Sequence, residues 1–153
     1  MFWLVSTVLA VNWNQQISTA LQSRIKSQMT SIISGPIEVE IEELGLDFNY
    51  PCSSLDRVDI DFPDREDFQG LVSVKAHLFS NDTLCQSLRF RSRVKILVTL
   101  PVAKESVPAL GEVTFVEAKV RYDLVKGTPI AMNSGPWVAR TNLKKMEPIT
   151  LER

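Results

Sequence analysis

The chain has 153 residues, of which 44% are hydrophobic and 23% are charged, a composition that supports one or two packed domains and excludes global disorder. The 17 basic residues nearly balance the 18 acidic ones, so the formal net charge is −1. This balance gives no general attraction to nucleic acid or to an anionic membrane, and a charged partner would have to be recognised by a local patch.

The N-terminus has the features of an export signal. Phe2 to Val11 form an almost unbroken apolar run, which as a helix is about 15 Å long, roughly half the thickness of a bilayer core. Val8 and Ala10 provide the small residues that signal peptidase requires at −3 and −1. We therefore predict a signal peptide over residues 1–10, cleaved after Ala10, and a mature chain that does not span the membrane.

Export determines how the two cysteines are interpreted. Outside the cytosol a pair such as Cys52 and Cys85 usually forms a disulfide. Closing a loop of about 34 residues would stabilise the fold by about 3–4 kcal/mol in the chain-entropy model. There is no C-x-x-C motif and only one histidine, His77, so the cysteines lack the partners of a zinc site. The sequence predicts a structural Cys52–Cys85 disulfide.

After the signal, residues 13–33 have the periodicity of an amphipathic helix. Apolar side chains recur at every fourth position, at Ile17, Leu21, Ile25 and Met29. We expect this face to pack in the core, and a partner-binding helix is the alternative. The run Ser34-Gly35-Pro36 should stop the helix.

Alternation of apolar and polar residues then predicts an antiparallel sheet. The turn residues Ser80 to Thr83 separate two of its strands. The expected inward positions are Ile37, Val39 and Ile41; Leu44, Leu46, Phe48 and Tyr50; Val58, Ile60 and Phe62; Val72, Val74, Ala76 and Leu78; Leu88, Phe90, Ser92 and Val94; and Ile96, Val98 and Leu100.

Proline and glycine become frequent in the second half of the chain, which favours short strands and a boundary near residue 98. The predicted fold class is α+β and mostly β, with an N-terminal helix packed on an antiparallel sheet. The predicted domains are a disulfide-linked helix and sheet domain over residues 11–97 and a compact, turn-rich β module over residues 98–153.

Two one-sided charged stripes mark the predicted sheet. Arg89, Arg91 and Arg93 alternate with inward residues on one strand, and Glu38, Glu40 and Glu42 do so on another. If these strands are neighbours, the stripes can pair, with each pair worth roughly 0.2–1 kcal/mol. The alternative is that the arginine stripe docks an acidic partner.

No constellation for catalysis or metal binding is evident. The acidic run from Asp56 to Asp67 fails as an EF-hand, because a loop starting at Asp59 has Pro63 at position 5 and Asp64 at the glycine position. His77 lacks partners for general base work, and no nucleophile or phosphate-binding motif is present. We predict no enzymatic activity, no metal and no cofactor.

Two segments of the second half share a pattern. Residues 102–113 read V-A-K-E-S-V-P-A-L-G-E-V, and residues 138–150 read V-A-R-T-N-L-K-K-M-E-P-I-T. The pattern resembles the SAF, or antifreeze-like, β-clip module, in which an aliphatic residue fills the core and glycine makes a tight turn. Met146 stands where the second turn would have glycine. Gly111 is displaced in the first turn, which we expect to be one residue longer.

The order of features along the whole chain resembles the flagellar basal-body P-ring assembly chaperone family. These features are the export signal, the helix, the Glu/Val strand, the aromatic approach Phe48-Asn49-Tyr50-Pro51-Cys52, and a second cysteine before the β-clip. The resemblance implies a periplasmic chaperone that binds the P-ring subunit and helps it assemble around the rod. Because the family continues through further strands, it also implies an incomplete β-clip.

The resemblance supplies candidate contact residues for that partner. They are Leu124, Val125, Ile130 and Trp137 in the stretch rich in glycine and proline, together with Arg89, Arg91 and Arg93. For Trp137 the alternative is a place in the β-clip core. Two other functions stay open for a β-clip protein: pilus assembly and carbohydrate binding.

Overall fold

The structure is a computed structural model that describes residues 3–46, 52–131 and 135–152, with backbone alone for residues 3–12. It has one long helix followed by strands, so the α+β, mostly β fold class is confirmed. The elements are α1 (Trp3–Thr30), β1 (Ile37–Glu43), β2 (Arg57–Asp61), β3 (Leu71–Ser80), β4 (Thr83–Ala103), β5 (Glu112–Val113), β6 (Phe115–Arg121), a 3-10 turn (Tyr122–Leu124) and β7 (Trp137–Val138).

The strands form two sheets. In the larger sheet the order is β1-β4-β3-β2, and β6 also pairs with β4. The β2–β3, β3–β4 and β4–β6 pairs are antiparallel. The small second sheet pairs β5 with β7, also antiparallel.

The chain divides into two compact units. The first contains residues 1–28 and 39–95, and the second contains residues 29–38 and 96–153. The segment 29–38 thus joins the second unit although it precedes most of the first in sequence. Separate folding of two domains over 11–97 and 98–153 stays a prediction.

In the first unit, α1 buries the predicted apolar face. Ile17, Leu21 and Ile25 are completely inaccessible to solvent, so this face belongs to the core and is not available to a partner. The helix begins at Trp3 rather than at Trp13 as predicted. The apolar run that precedes Trp13 contains no glycine or proline, so the helix continues through it. The helix ends at Thr30 rather than Ile33.

Polar side chains of α1 contact both outer strands of the first unit. Gln22 Nε2 donates to the carbonyl oxygen of Val39 in β1, and Arg24 Nε donates to that of Ile60 in β2, each at 3.3 Å. Unpaired N–H and C=O groups on an edge strand can form hydrogen bonds with a strand of another chain. The helix therefore occupies hydrogen-bonding positions on the first and last strands of the order β1-β4-β3-β2.

The predicted strands of the first unit are largely confirmed. Val72, Val74, Ala76 and Leu78 are all buried in β3, and the predicted turn joins β3 to β4 through Asn81 and Asp82. Both turn residues have positive φ, 51° and 61°, which is the requirement of a type I′ hairpin.

The predicted strand conformation is wrong for residues 44–46, although Leu44 and Leu46 pack inward against the apolar cluster of the first unit, as predicted. The strand ends at Glu43, and Gly45 has φ of 70°. A Cβ atom at Gly45 would lie 1.9 Å from the Arg91 carbonyl oxygen, so the chain turns here in close contact with β4. The predicted inward residues Phe48 and Tyr50 lie outside the described residues.

In the second unit, two turns hydrogen-bond to each other in a repeating pattern. Val107 and Leu143 exchange main-chain hydrogen bonds of 2.9 and 2.8 Å. Leu110 N donates to Ala139 O at 2.7 Å, and Met146 N donates in the equivalent way to Ala103 O at 2.8 Å. Such reciprocal bonds relate segment 103–110 to segment 139–146 by an approximate two-fold axis.

This symmetry corrects the expectation that the first turn is one residue longer. The two turns have equal length, and Leu110 corresponds to Met146. Both residues have left-handed backbone, with φ of 67° and 66°, so the strained position in the first turn is Leu110 and not the following Gly111. Aliphatic Val107 and Leu143 fill the core of this unit, as predicted from the pattern.

Candidate partner-binding surfaces

The disulfide lies in the first unit, as the sequence predicted. Cys52 and Cys85 are bonded, with their Cα atoms 5.8 Å apart. Cys85 belongs to β4, and Cys52 packs against the apolar cluster of Trp13, Ile17, Leu55 and Leu78. The bond therefore ties the segment before β2 to the strand that carries the arginine stripe.

The arginine stripe occupies the outward positions of β4. Arg89, Arg91 and Arg93 are all exposed. β1 is a neighbour of β4, but among the described residues no arginine of the stripe forms an ion pair with Glu38, Glu40 or Glu42, so the two stripes do not pair as predicted. Arg93 Nε lies 3.9 Å from Glu43 Oε2, and Lys95 Nζ lies 3.5 Å from Glu40 Oε2.

Arg89 and Arg91 differ from Arg93. Across the sheet, Lys75 of β3 stands opposite Arg89, and Ser73 stands opposite Arg91. Among the residues that the structure describes, no carboxylate forms an ion pair with either arginine. The centre of the sheet thus presents a cluster of three cations, Lys75, Arg89 and Arg91, which we call the basic cluster.

A groove of about 480 Å³ adjoins the basic cluster. Its apolar lining comes from Phe62, Pro63, Val74 and Phe90, and its charged lining comes from the basic cluster and from Asp61. Asp61 stands opposite Lys75 in the β2–β3 pair. Phe62 is held by an edge-on ring contact with Phe68, whose centroid is 5.0 Å away. Side chains alternate between the two faces along a strand, so Val74 and Phe90 point to the buried side of the sheet and Lys75, Arg89 and Arg91 point to the opposite side. The charged side chains of the basic cluster therefore form the surface that is open to an acidic segment.

The four candidates of the second unit occupy different environments. Val125 and Ile130 are both 5% exposed, so their side chains support the unit from inside. Trp137 is half-buried and packs against the apolar cluster of the second unit. Leu124 is 64% exposed and is the one of these four whose side chain is open to solvent. A partner contact at these positions stays a prediction.

His77 has structural partners on the sheet surface. Its Nδ1 is 2.8 Å from Ser87 Oγ, and its Nε2 is 3.3 Å from Asp61 Oδ2. Within the described ranges, no three residues of the metal-ligating types cluster closely enough to hold an ion. No described helix is long and apolar enough to cross a bilayer.

Some features of this surface could not be found by sequence reasoning. Lys75 and Phe62 come next to the arginine stripe through strand pairing, and a single sequence does not encode that register explicitly. The available signals were weak ones: a lysine at an outward β3 position and an aromatic residue before Pro63.

The fold and its surfaces define a disulfide-linked, mainly antiparallel β protein with an N-terminal helix and a pair of symmetric turns. This is also the fold of Salmonella FlgA, solved in its closed form, with a TM-score of 0.57 and 13% sequence identity. The match covers 89% of this chain and 66% of FlgA, so the chain spans slightly less than two thirds of that protein. At this level of sequence identity the likeness is one of fold. No family model matches the chain, and no curated protein sequence matches it.

Proposed function

We propose that this protein is a periplasmic, non-enzymatic chaperone that assists assembly of the flagellar P-ring around the rod. The observation that carries the proposal is the fold shared with FlgA over 89% of the chain, which coincides with the order of features that the sequence shares with the P-ring chaperone family. The Cys52–Cys85 disulfide fits an oxidising compartment such as the periplasm.

We further propose that the P-ring subunit docks on the basic cluster. Lys75, Arg89 and Arg91 concentrate positive charge on a protein whose net charge is −1, so they can select an acidic segment against a neutral background. Leu124 is the candidate for a second contact.

A pull-down from periplasmic extract tests the function. The oxidised protein should recover the P-ring subunit, and recovery of pilus proteins or glycans in its place would refute the proposal. The double variant Arg89→Glu/Arg91→Glu tests the surface separately. Its control, Arg65→Glu/Arg140→Glu, changes two other exposed arginines and alters the net charge equally. If both variants recover the P-ring subunit as well as the wild type, the function stands and the basic cluster is not its docking surface.

A further inference from the structure

Strand β6 has one paired edge and one open edge. On its paired side the register places Ala118 opposite Leu100 and Glu117 opposite Pro101 in β4. Directly beyond this ladder and in the same register, Lys104 N donates a hydrogen bond to Thr114 O at 3.0 Å. In an antiparallel ladder the bonded residues alternate, so the even-numbered residues of β6 bond to β4.

The odd-numbered residues therefore direct their main-chain groups away from β4. Pro101 agrees with this alternation, because it has no N–H group to donate toward Glu117. Within the described part of the chain, β6 pairs with no strand other than β4. The N–H and C=O groups of Glu117 and Lys119 consequently form an open edge that can accept another strand.

The side chains of β6 leave an apolar stripe beside this edge. Val116, Ala118 and Val120 are only partly covered, and Val116 is 38% exposed. Their neighbours across the ladder, Val102, Leu100 and Val98, are buried. An added strand would extend this core and cover the stripe.

The sequence of β6 is complementary to itself when reversed. Residues 116–120 read V-E-A-K-V, so an antiparallel copy centred on Ala118 sets Val116 opposite Val120 and Glu117 opposite Lys119. Opposite charges directly across a strand pair stabilise it, whereas like charges destabilise it. Moving the centre to residue 117 or 119 would bring Glu117 against Glu117, or Lys119 against Lys119.

We propose that two copies of this chain associate through their β6 strands, antiparallel, about a two-fold axis at Ala118. Glu117 of each copy exchanges both main-chain hydrogen bonds with Lys119 of the other, which gives four bonds across the axis. The valines and alanines form the apolar side of the interface, and two Glu117–Lys119 ion pairs form its polar side. The interaction is independent of the proposed chaperone function.

Charge exchange tests the register. Sedimentation velocity on the full, oxidised chain should show a concentration-dependent dimer. Glu117→Lys alone and Lys119→Glu alone should each weaken it by about tenfold or more, since each puts two like-charged pairs across the axis. An equimolar mixture of these two variants should restore association, because every cross-axis pair is then of opposite charge. Thermal unfolding of each variant checks that the fold is kept, which matters for Lys119 because it contacts Glu38.

A cysteine trap tests the axis. In the proposed dimer the two Ala118 Cα atoms are about 4.5 Å apart, so Ala118→Cys should form an inter-chain disulfide under mild oxidation. Val120→Cys is the matched control on the same face, and its two copies would be about 13 Å or more apart, beyond disulfide reach. The native cysteines are already bonded to each other.

Three results would overturn the proposal. The first is a wild-type chain that stays monomeric up to millimolar concentration. The second is a dimer that Glu117→Lys and Glu117→Pro leave unchanged, since proline at this position removes an N–H only from the open edge. The third is protection of the Glu117 and Lys119 amides from hydrogen exchange by the P-ring subunit while the chain alone is monomeric, which would assign the edge to that partner.

Discussion

Leu110 and Met146 hold the same left-handed backbone position in two turns that hydrogen-bond to each other. Their φ angles are 67° and 66°, and their side chains are 83% and 50% exposed. A residue with a side chain loses roughly 1–2 kcal/mol of conformational free energy in this region. Because both side chains are largely exposed, burial of apolar surface offsets little of that loss. The second unit thus carries the same local strain twice.

Glycine at these positions should therefore stabilise the protein. We expect Met146→Gly and Leu110→Gly each to raise the free energy of unfolding by about 1 kcal/mol, measured by urea denaturation. Lys145→Gly is the control, because Lys145 does not have positive φ and glycine there should destabilise. Equal destabilisation by all three substitutions would show that the left-handed residues are not strained.

Loss of the disulfide should weaken the first unit. Cys52→Ala/Cys85→Ala is expected to lower the free energy of unfolding by about 3–4 kcal/mol, because the unfolded chain gains the entropy of an open loop. Compared with the wild type, the variant should exchange its amide hydrogens faster in β3. Exchange at Val107 and Leu143 should be nearly the same in both proteins. Loss of protection at Val107 and Leu143 to the same extent would contradict separate behaviour of the two units.

Gly45 should tolerate no side chain. In Gly45→Ala the new Cβ would lie 1.9 Å from the Arg91 carbonyl oxygen, in addition to requiring φ near 70°. Gly70 is the matched control, since it also has positive φ but no atom within 4 Å of the built Cβ. We expect Gly70→Ala to lower the melting temperature slightly, through φ strain of about 1 kcal/mol, and Gly45→Ala to lower it much more. Equal losses would show that the close approach to Arg91 has no energetic weight.

Binding of the P-ring subunit should depend on the basic cluster and on salt. We expect Arg89→Glu/Arg91→Glu to reduce affinity by about tenfold or more in isothermal titration calorimetry, and raised ionic strength to weaken the wild-type interaction. Arg65→Glu/Arg140→Glu should bind nearly as the wild type does. Equal losses in both double variants would mean that net charge, and not this surface, governs the interaction.

The periodicity of apolar residues within single segments predicted most of the helix and strands, whereas contacts that depend on strand pairing were not predicted. The four-residue period from Ile17 to Ile25 and the alternation from Val72 to Leu78 are each encoded within one segment. The end of β1 at Glu43 depends on how closely Gly45 approaches Arg91, which a local pattern does not show. The groove is likewise formed by residues that come together only through the register of three strands.

The turns illustrate the same limit. The pattern identified both segments and their core residues, but it assigned the strained position of the first turn to the wrong residue. Leu110 adopts the left-handed conformation in a turn whose length is fixed by two hydrogen bonds, from Leu110 N to Ala139 O and from Ala139 N to Gly111 O. A glycine in the sequence was therefore a poor guide to which residue has positive φ.

The proposed chaperone function is tested most directly by whether the oxidised chain keeps the P-ring subunit soluble. Denatured P-ring subunit would be diluted into buffer with increasing amounts of the chain, and light scattering would record aggregation. If the chain is a chaperone for this subunit, scattering should fall as the chain is added and level off near one chain per subunit, with no such effect from the same amount of albumin. Scattering that falls no more with the chain than with albumin would contradict the proposed chaperone function.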